Sequence, residues 1–272
     1  MPEGPEIRRA ADKILLALEP FPVEEVYFSF DRLKPYTAIL DGQRVSDVET
    51  RGKAMLIRFS SGLYVYSHCQ LYGRWMVRRT RNYPKTNRQL RLAIHNREKS
   101  ALLYSASDIE VLRTDQVASH PYLGSLGPDL LSAEPDQILA QLESHKHRLR
   151  KLGTLFLDQR FVAGIGNYLR SEILFAARVH PQLRPIDCSD EQLERLSLAT
   201  VRIAQQSYRH EGITYNLNEA GKLKAKGETR SQYRHWIFNR DNQRCRVCVQ
   251  PVVKDVVAGR RVYYCPSCQP LP

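Results

Sequence analysis

Four of the chain's six cysteines fall into two pairs, Cys245-Arg-Val-Cys248 and Cys265-Pro-Ser-Cys268, with sixteen residues between the pairs. Two Cys-x2-Cys knuckles at this separation suit four thiolates around one tetrahedral Zn2+. The residues between them read as two short β runs around an Ala258-Gly259 turn, a hairpin with a knuckle at each foot. A ligand set with no histidine, no carboxylate and no open position predicts a structural metal. Disulfides are the other use of paired cysteines. However, the opening of the sequence carries only a short apolar run at residues 14–18, too short for a secretory signal or a membrane span, so an oxidising compartment is disfavoured. Cys69 and Cys188 stand alone and read as ordinary thiols.

The second candidate centre is the N-terminus. Removal of Met1, expected when proline follows, would leave Pro2 as a secondary α-amine. An α-amino group titrates near ~7.7–8, against ~10.4 for lysine, so a useful fraction is neutral and nucleophilic at pH 7. Adding to a carbonyl-like carbon, such an amine gives an iminium, an electron sink. Glu3 beside it could move protons. The bland reading of Pro-Glu-Gly-Pro-Glu is a capped helix start, and this segment alone favours it.

Other groups are individually weak. Gly164-Ile-Gly166-Asn167 opens a helix and resembles an anion-binding turn, or a plain cap. Lys53, in an Arg51-Gly52-Lys53 turn, points into a cleft or simply into solvent. Gln70-Leu71-Tyr72-Gly73 follows a strand; an amide, an aliphatic wedge and an aromatic could fill the hole left by an extruded base, or pack as a strand end. Arg260, beside the hairpin turn, could reach a phosphate or only decorate the tip.

The elements that must position these groups follow from periodicity. Ile7, Ala11, Ile14, Leu15 and Leu18 form one face of an opening helix. Short β runs then occupy residues 23–112, including a hairpin of 54–59 with 63–67 and further strands at 90–94 and 101–104. After Gly127-Pro128-Asp129 helices dominate: 135–149, 152–157, one from Asn167 halted by Pro181, and one opened by a Ser189/Gln192 capping box through Ile203. The Gly- and Lys-rich residues 221–227 read as a mobile basic loop. The plan is a helix with a β-sandwich or barrel, then a helical bundle, then a metal hairpin. At 42% hydrophobic and 26% charged residues this is a folded rather than a disordered chain. Its formal charge is +12, and after residue 200 there are thirteen Lys and Arg against five acids, so a polyanionic partner is expected.

In this order the motifs closely resemble the formamidopyrimidine-DNA glycosylase and endonuclease VIII family of bifunctional DNA glycosylases, over essentially the whole chain. The anchors are Met1-Pro-Glu-Gly-Pro-Glu6, Arg51-Gly-Lys-Ala54, Gln70-Leu-Tyr-Gly73, residues 158–168 (DQRFVAGIGNY) and the four-cysteine hairpin with Arg260. Pro-Glu-Gly-Pro-Glu-Ile-Arg-Arg and Gln-Leu-Tyr-Gly are similar to the endonuclease VIII branch; the other branch typically opens Pro-Glu-Leu-Pro-Glu.

The resemblance implies an α+β protein: a helix and antiparallel β-sandwich catalytic domain over 1–127, a helix-two-turns-helix domain over 128–220, and a basic loop with the zinc-finger hairpin over 221–272. It implies a monomer with one structural Zn2+, acting on damaged double-stranded DNA in the bacterial cytoplasm, at the nucleoid when bound, and no membrane partner. It also implies excision of oxidised pyrimidines and strand cleavage by β,δ-elimination. Pro2 would form the Schiff base, Glu3 would donate a proton, and Lys53 would assist β-elimination. Gln70, Leu71 and Tyr72 would fill the duplex gap. Asn167 and Arg260 would grip phosphates, Arg260 with a part in δ-elimination, and Glu172 would lend support. Two positions depart from the pattern: Ser125 replaces a DNA-contacting arginine, and Asn242 stands where glycine is frequent. The alternatives are a purine-directed enzyme of the same family, acting on 8-oxoguanine or formamidopyrimidine, and a non-catalytic zinc-ribbon DNA-binding protein.

Overall fold

Ile7, Ala11, Ile14 and Leu18 are all buried, and they line one stripe of helix α1 (Gly4–Leu18), as the periodicity requires. The structure is a computed structural model and describes residues 2–271; Met1, whose removal the sequence leads one to expect, lies outside them. The chain divides into two units. One holds Pro2 and Glu6–Ser125, the other Glu3–Pro5 and the residues from Leu126 on.

In the first unit α1 is followed by β1 (Val23–Phe28), a short α2 (Thr37–Leu40), and strands β2 (Val45–Arg51), β3 (Ala54–Phe59) and β4 (Leu63–His68). Then come β5 (Arg74–Arg79), β6 (Leu90–Asn96), β7 (Lys99–Tyr104), β8 (Asp108–Arg113) and the short helices α3 (Thr114–Ser119) and α4 (Pro121–Gly124). The strands form two four-stranded antiparallel sheets, β1-β6-β7-β5 and β2-β3-β4-β8. Side chains from both sheets and from α1 meet in one core, among them Val26, Phe28, Ile57, Phe59, Val65, Ile94 and Leu103. The arrangement is therefore a sandwich rather than a barrel. Asn96 ties β6 to α1 by donating from Nδ2 to the Ala17 carbonyl at 2.9 Å.

The second unit is helical up to a terminal hairpin: α5 (Pro135–Glu143), α6 (Leu152–Leu155), α7 (Asn167–Ala176), α8 (Asp190–Arg209), α9 (Leu217–Ala225), α10 (Arg230–Tyr233), then β9 (Val253–Val257) paired with β10 (Arg260–Tyr264). Its core joins Ile138 and Leu142 of α5, Leu169, Ile173 and Leu174 of α7 and Leu196 and Ile203 of α8. The capping box opening α8 is present, with Ser189 N–H donating to Gln192 Oε1 at 2.9 Å.

Several helix limits differ from the periodicity. The helix expected over 135–149 ends at Glu143, and Ser144 turns extended (φ −60°, ψ 141°). The next apolar residue in phase, Leu149, is 59% exposed, so a longer helix would bury nothing more. The helix from Asn167 stops before Pro181, because Arg178 takes a left-handed φ of 56° and Val179 N–H closes on the Leu174 carbonyl at 3.0 Å. Helix α8 runs past Ile203 to Arg209, since Ala204 and Ser207 still face the core. The basic loop expected at 221–227 is mostly helix. Asn216 caps α9 by accepting from the N–H groups of Asn218 and Glu219, Ala220 is buried, and Gly221 with the lysines lies on the exposed side. Among the described residues no helix is long and apolar enough to cross a membrane.

Buried and half-buried histidines make stability depend on pH. His68, His95, His147, His180 and His235 all have pKa values lowered first by burial, and His235, beside Arg234, Arg230 and Arg246, is lowered most clearly. Below pH ~6.5 the unfolded chain takes up protons that the folded chain refuses, so stability falls as pH falls. Each such histidine contributes a slope of up to about 1.4 kcal/mol per pH unit. Urea midpoints should therefore drop between pH 7.5 and 5.5, and His235→Gln should flatten that slope. A midpoint that is level across this range contradicts the expectation.

Candidate active site and metal centre

In the first unit Pro2 is half-buried and lines a cavity of about 350 Å³ together with Glu6, Cys69, Leu71, Tyr72 and Trp75. The loop carrying Leu71 and Tyr72 is a tight projection between β4 and β5. Gly73 N–H donates to the Cys69 carbonyl at 2.7 Å, and a Cβ on Gly73 would come within 2.5 Å of that same oxygen, so only glycine closes the turn. Gln70 holds a left-handed φ of 47°, accepts from the Ser107 hydroxyl at 3.0 Å, and donates its N–H to His68 Nδ1 at 3.1 Å. Arg88 donates to the Tyr72 carbonyl. Leu71 and Tyr72 are 64% and 71% exposed, which removes the reading of a strand end packed into the core. A rigid backbone thus presents an aliphatic and an aromatic tip to solvent. Neither Arg88 nor Ser107 was marked by the sequence.

Gly52 and Lys53 form the two-residue turn joining β2 to β3, where Arg51 pairs with Ala54. Lys53 is 5% exposed, not a solvated surface charge. Its charge reaches His68, whose pKa is lowered first by burial and further by Lys53, with Asp108 opposing. Cys69 is buried and Cys188 half-buried, and burial pushes both thiols up to about 11, which makes them poor nucleophiles.

In the second unit the carboxylate of Glu3 sits at the N-terminus of α7. It accepts from the backbone N–H groups of Gly166 at 2.8 Å, Tyr168 at 2.9 Å and Leu169 at 3.2 Å. The segment is held by Gly4 N–H donating to the Gly164 carbonyl at 2.9 Å. The glycine turn is thus an anion site, but these three donors serve an internal carboxylate rather than a phosphate. Gly166 is extended (φ −128°), so its glycine is needed for space: a Cβ there would lie 2.4 Å from Glu3 Cδ.

Arg170, four residues after Gly166, is fully buried and was not marked by the sequence. Its Nη1 donates to the Gly153 carbonyl at 2.6 Å, and its Nη2 to Asn167 Oδ1 at 3.1 Å and to the carbonyls of Arg261 at 2.8 Å and Arg260 at 3.4 Å. Burial lowers its pKa to about 10, with Glu3 pulling it up and Arg260 pushing it down. One guanidinium therefore fixes the Asn167 amide and the turn of the β9–β10 hairpin together, while the Arg260 side chain is exposed. Glu172 is a second internal anchor. Its carboxylate accepts from the N–H groups of Trp236, Ile237 and Phe238 and from the Thr214 hydroxyl; burial raises its pKa against those donors. It fastens the segment that leads into the hairpin.

The four Sγ atoms of Cys245, Cys248, Cys265 and Cys268 lie within 4.8 Å of one another, with Cys248–Cys265 at 3.3 Å and Cys245–Cys268 at 3.9 Å. Zn–S bonds of about 2.3 Å around a tetrahedron place sulfurs about 3.8 Å apart, so this set fits a zinc ion. As free thiols the four share their charge unevenly: the Gln250 N–H lowers Cys248, while burial raises Cys265 and Cys268. Asn242 adopts a left-handed φ of 62°, the backbone shape that glycine would supply, and asparagine tolerates it. Ser125 Oγ donates to the Tyr122 carbonyl at 2.8 Å.

Residues 1–107 match the formamidopyrimidine-DNA glycosylase N-terminal domain, and residues 126–219 match the H2TH domain of the same enzymes. The curated endonuclease 8 of Klebsiella pneumoniae is 44% identical over 271 residues, covering 99% of this chain and 100% of that protein. The chain belongs to the formamidopyrimidine-DNA glycosylase and endonuclease VIII family. Endonuclease 8 of Salmonella schwarzengrund is also 44% identical over 271 residues. As a family member the protein is a DNA glycosylase with AP lyase activity. Among solved structures, Lactococcus lactis Fpg bound to DNA with an abasic site has a TM-score of 0.80 at 20% identity, covering 99% of this chain and 100% of that one. The fold is that of the Fpg enzymes.

Proposed function

We propose that this glycosylase removes oxidised pyrimidines from double-stranded DNA through an imine at Pro2 and cuts the strand by β,δ-elimination. The observation that carries the reading is Pro2 lining a cavity with the exposed Leu71 and Tyr72, in a chain 44% identical from end to end to endonuclease 8. In the proposal Leu71, Tyr72 and Gln70 enter the space vacated by the extruded nucleotide, since the amine cannot reach C1′ inside the stack. The neutral Pro2 nitrogen attacks C1′, the C1′–N bond to the base breaks, and the base leaves with a proton supplied from the Glu3 side. The amine gives up its proton, O4′ takes one, and the C1′–O4′ bond opens, leaving an open-chain iminium that acidifies the C2′ proton. Removal of that proton, assisted by Lys53, expels the 3′ phosphate, and a second elimination, which takes the C4′ proton and is aided by Arg260, expels the 5′ phosphate. Asn167 and Arg260 hold the flanking phosphates, and the net charge of +12 makes binding steeply salt-dependent. DNA with an abasic site, and DNA with FAPY-dG, in complexes of the structural relatives support damaged DNA as the substrate class. The proposed place of action is the cytoplasm of a bacterium, as a monomer on nucleoid DNA; the bacterial sources of the curated relatives support it.

The four-cysteine site is proposed to hold one structural Zn2+, which when bound cross-links the hairpin that carries Arg260. Zinc bound in this way supplies about 10–16 kcal/mol of local folding free energy. Metal analysis should give one zinc per chain, and Cys265→Ser should lose it together with most DNA affinity. Full affinity in zinc-free protein contradicts this role.

The deciding experiment is borohydride trapping on a duplex with one thymine glycol, followed by mass spectrometry of the linked peptide. Attachment at the Pro2 nitrogen, lost in protein that retains Met1, is the expected result. Trapping only on an 8-oxoguanine duplex would move the substrate to purines. Tight binding with no adduct, even at an abasic site, would sink the imine mechanism.

A further inference from the structure

A cavity of about 500 Å³ opens within the second unit between the C-terminal end of α7, helix α8, the start of α9 and the metal hairpin. None of the groups assigned above to DNA chemistry lines it. It lies at the opposite end of α7 from Asn167, about 15 Å away at a rise of 1.5 Å per residue. Leu217 and Val247 face it while 40% and 52% exposed, with Ile203 and Trp236 beneath. Arg178 and Arg202 stand on its lining, and both are exposed. Among the described residues neither guanidinium has an ion-pair or hydrogen-bond partner, and no Asp or Glu lines the cavity. Elsewhere in the second unit Arg184 pairs with Asp187 at 2.7 Å, and Arg150 pairs with Asp158 at 2.7 Å. Arg178 also holds a left-handed φ of 56° at the position after the helix end where glycine is the unstrained choice.

We propose that this cavity docks an acidic peptide segment of a partner protein, its carboxylates on Arg178 and Arg202 and a neighbouring apolar side chain between Leu217 and Val247. The volume suits a few side chains rather than a whole protein face. Two unpaired guanidinium forks match carboxylates in geometry and charge, and the aliphatic wall supplies an anchor. A single-stranded nucleic acid fits less well, because base stacking needs a free aromatic face. Trp236 is already packed against Phe175 at 6.1 Å and Tyr215 at 4.8 Å between ring centroids. Because Val247 and Cys268 of the hairpin form one wall, the site exists only with the hairpin folded. The assignment does not depend on which base the enzyme excises.

The test uses the full-length, zinc-loaded protein and a fluorescein-labelled peptide, Asp-Glu-Asp-Asp-Leu-Phe. Its controls are the same peptide with Asn and Gln replacing the acids, and an oligothymidylate of equal charge. Anisotropy reads affinity, and the indole N–H resonance of Trp236, set against that of Trp75, reads location. The acidic peptide should shift the Trp236 resonance and leave Trp75 unmoved. Arg178→Gly combined with Arg202→Gln should weaken binding about tenfold or more. Glycine suits the backbone at 178, so this variant folds at least as well, and its cleavage of damaged duplex should equal the parent's. The proposal is overturned if Trp236 does not move at about 1 mM peptide, a very weak complex. It is equally overturned if the neutral peptide binds as well, if the double variant binds unchanged, or if the oligothymidylate moves Trp236 as strongly.

Discussion

Gly166→Ala is expected to cut base excision by about 10²–10⁴-fold while leaving the chain folded and Pro2 able to form an imine. An alanine Cβ at 166 would sit 2.4 Å from Glu3 Cδ and 2.5 Å from Oε1. Those atoms are the end of a flexible side chain, so Glu3 is expelled rather than the backbone broken. Expulsion leaves the N–H groups of the buried Gly166, Tyr168 and Leu169 without this acceptor, and the stability loss should be a few kcal/mol. The φ of −128° at 166 lies outside the left-handed region, so backbone shape does not reserve the position for glycine. What is lost is the fixed position of a carboxylate one peptide bond from Pro2, the proposed nucleophile. Single-turnover excision from a dihydrouracil duplex should therefore fall as far as in Glu3→Gln, whereas borohydride trapping at a preformed abasic site should remain within about tenfold of the parent. Excision within a few-fold of the parent would show that Glu3 acts without this cradle.

The difference between what the sequence told and what it concealed lies in chain distance. The four cysteines are legible because a metal constrains type and spacing locally, and the hairpin between them is short. Helix α1, the strand pairs around residues 54–67 and the Ser189 cap are legible for the same reason. Glu3 is different. Its partners lie more than 160 residues along the chain, so the Gly164–Asn167 turn reads as an anion site with no indication that the protein supplies the anion itself. Lys53 reads as a turn lysine because burial of a turn depends on what packs over it. Residues 221–227 mislead through composition: glycine and lysine are common in loops, yet an exposed helix face tolerates both once Asn216 caps it and Ala220 is buried. Arg178 and Arg202 look like any surface arginine until they are seen together on a cavity that, among the described residues, no Asp or Glu lines.

Arg170→Ala should destabilise the second unit by about 3–5 kcal/mol and weaken DNA binding well beyond the loss of one positive charge. The side chain is fully buried and its donors satisfy Gly153, Asn167, Arg260 and Arg261 at once. Removing it takes a donor from the buried Gly153 carbonyl and from the part-buried hairpin carbonyls, and leaves a cavity between α7 and the hairpin. The Asn167 amide, a proposed phosphate contact, also loses the bond that holds its Oδ1. Arg170→Lys separates charge from geometry: an ammonium keeps the attraction to Glu3 but cannot span the Gly153 carbonyl and the hairpin carbonyls with one planar fork. It should recover part of the stability and little of the DNA affinity. A double-mutant cycle with Asn167→Ala gives the sharper reading. If Arg170 acts by positioning Asn167, the two losses in DNA affinity will overlap, with a coupling energy of about 1 kcal/mol or more. Strictly additive losses, or full affinity in Arg170→Lys, would assign Arg170 to the framework of the helix and hairpin alone.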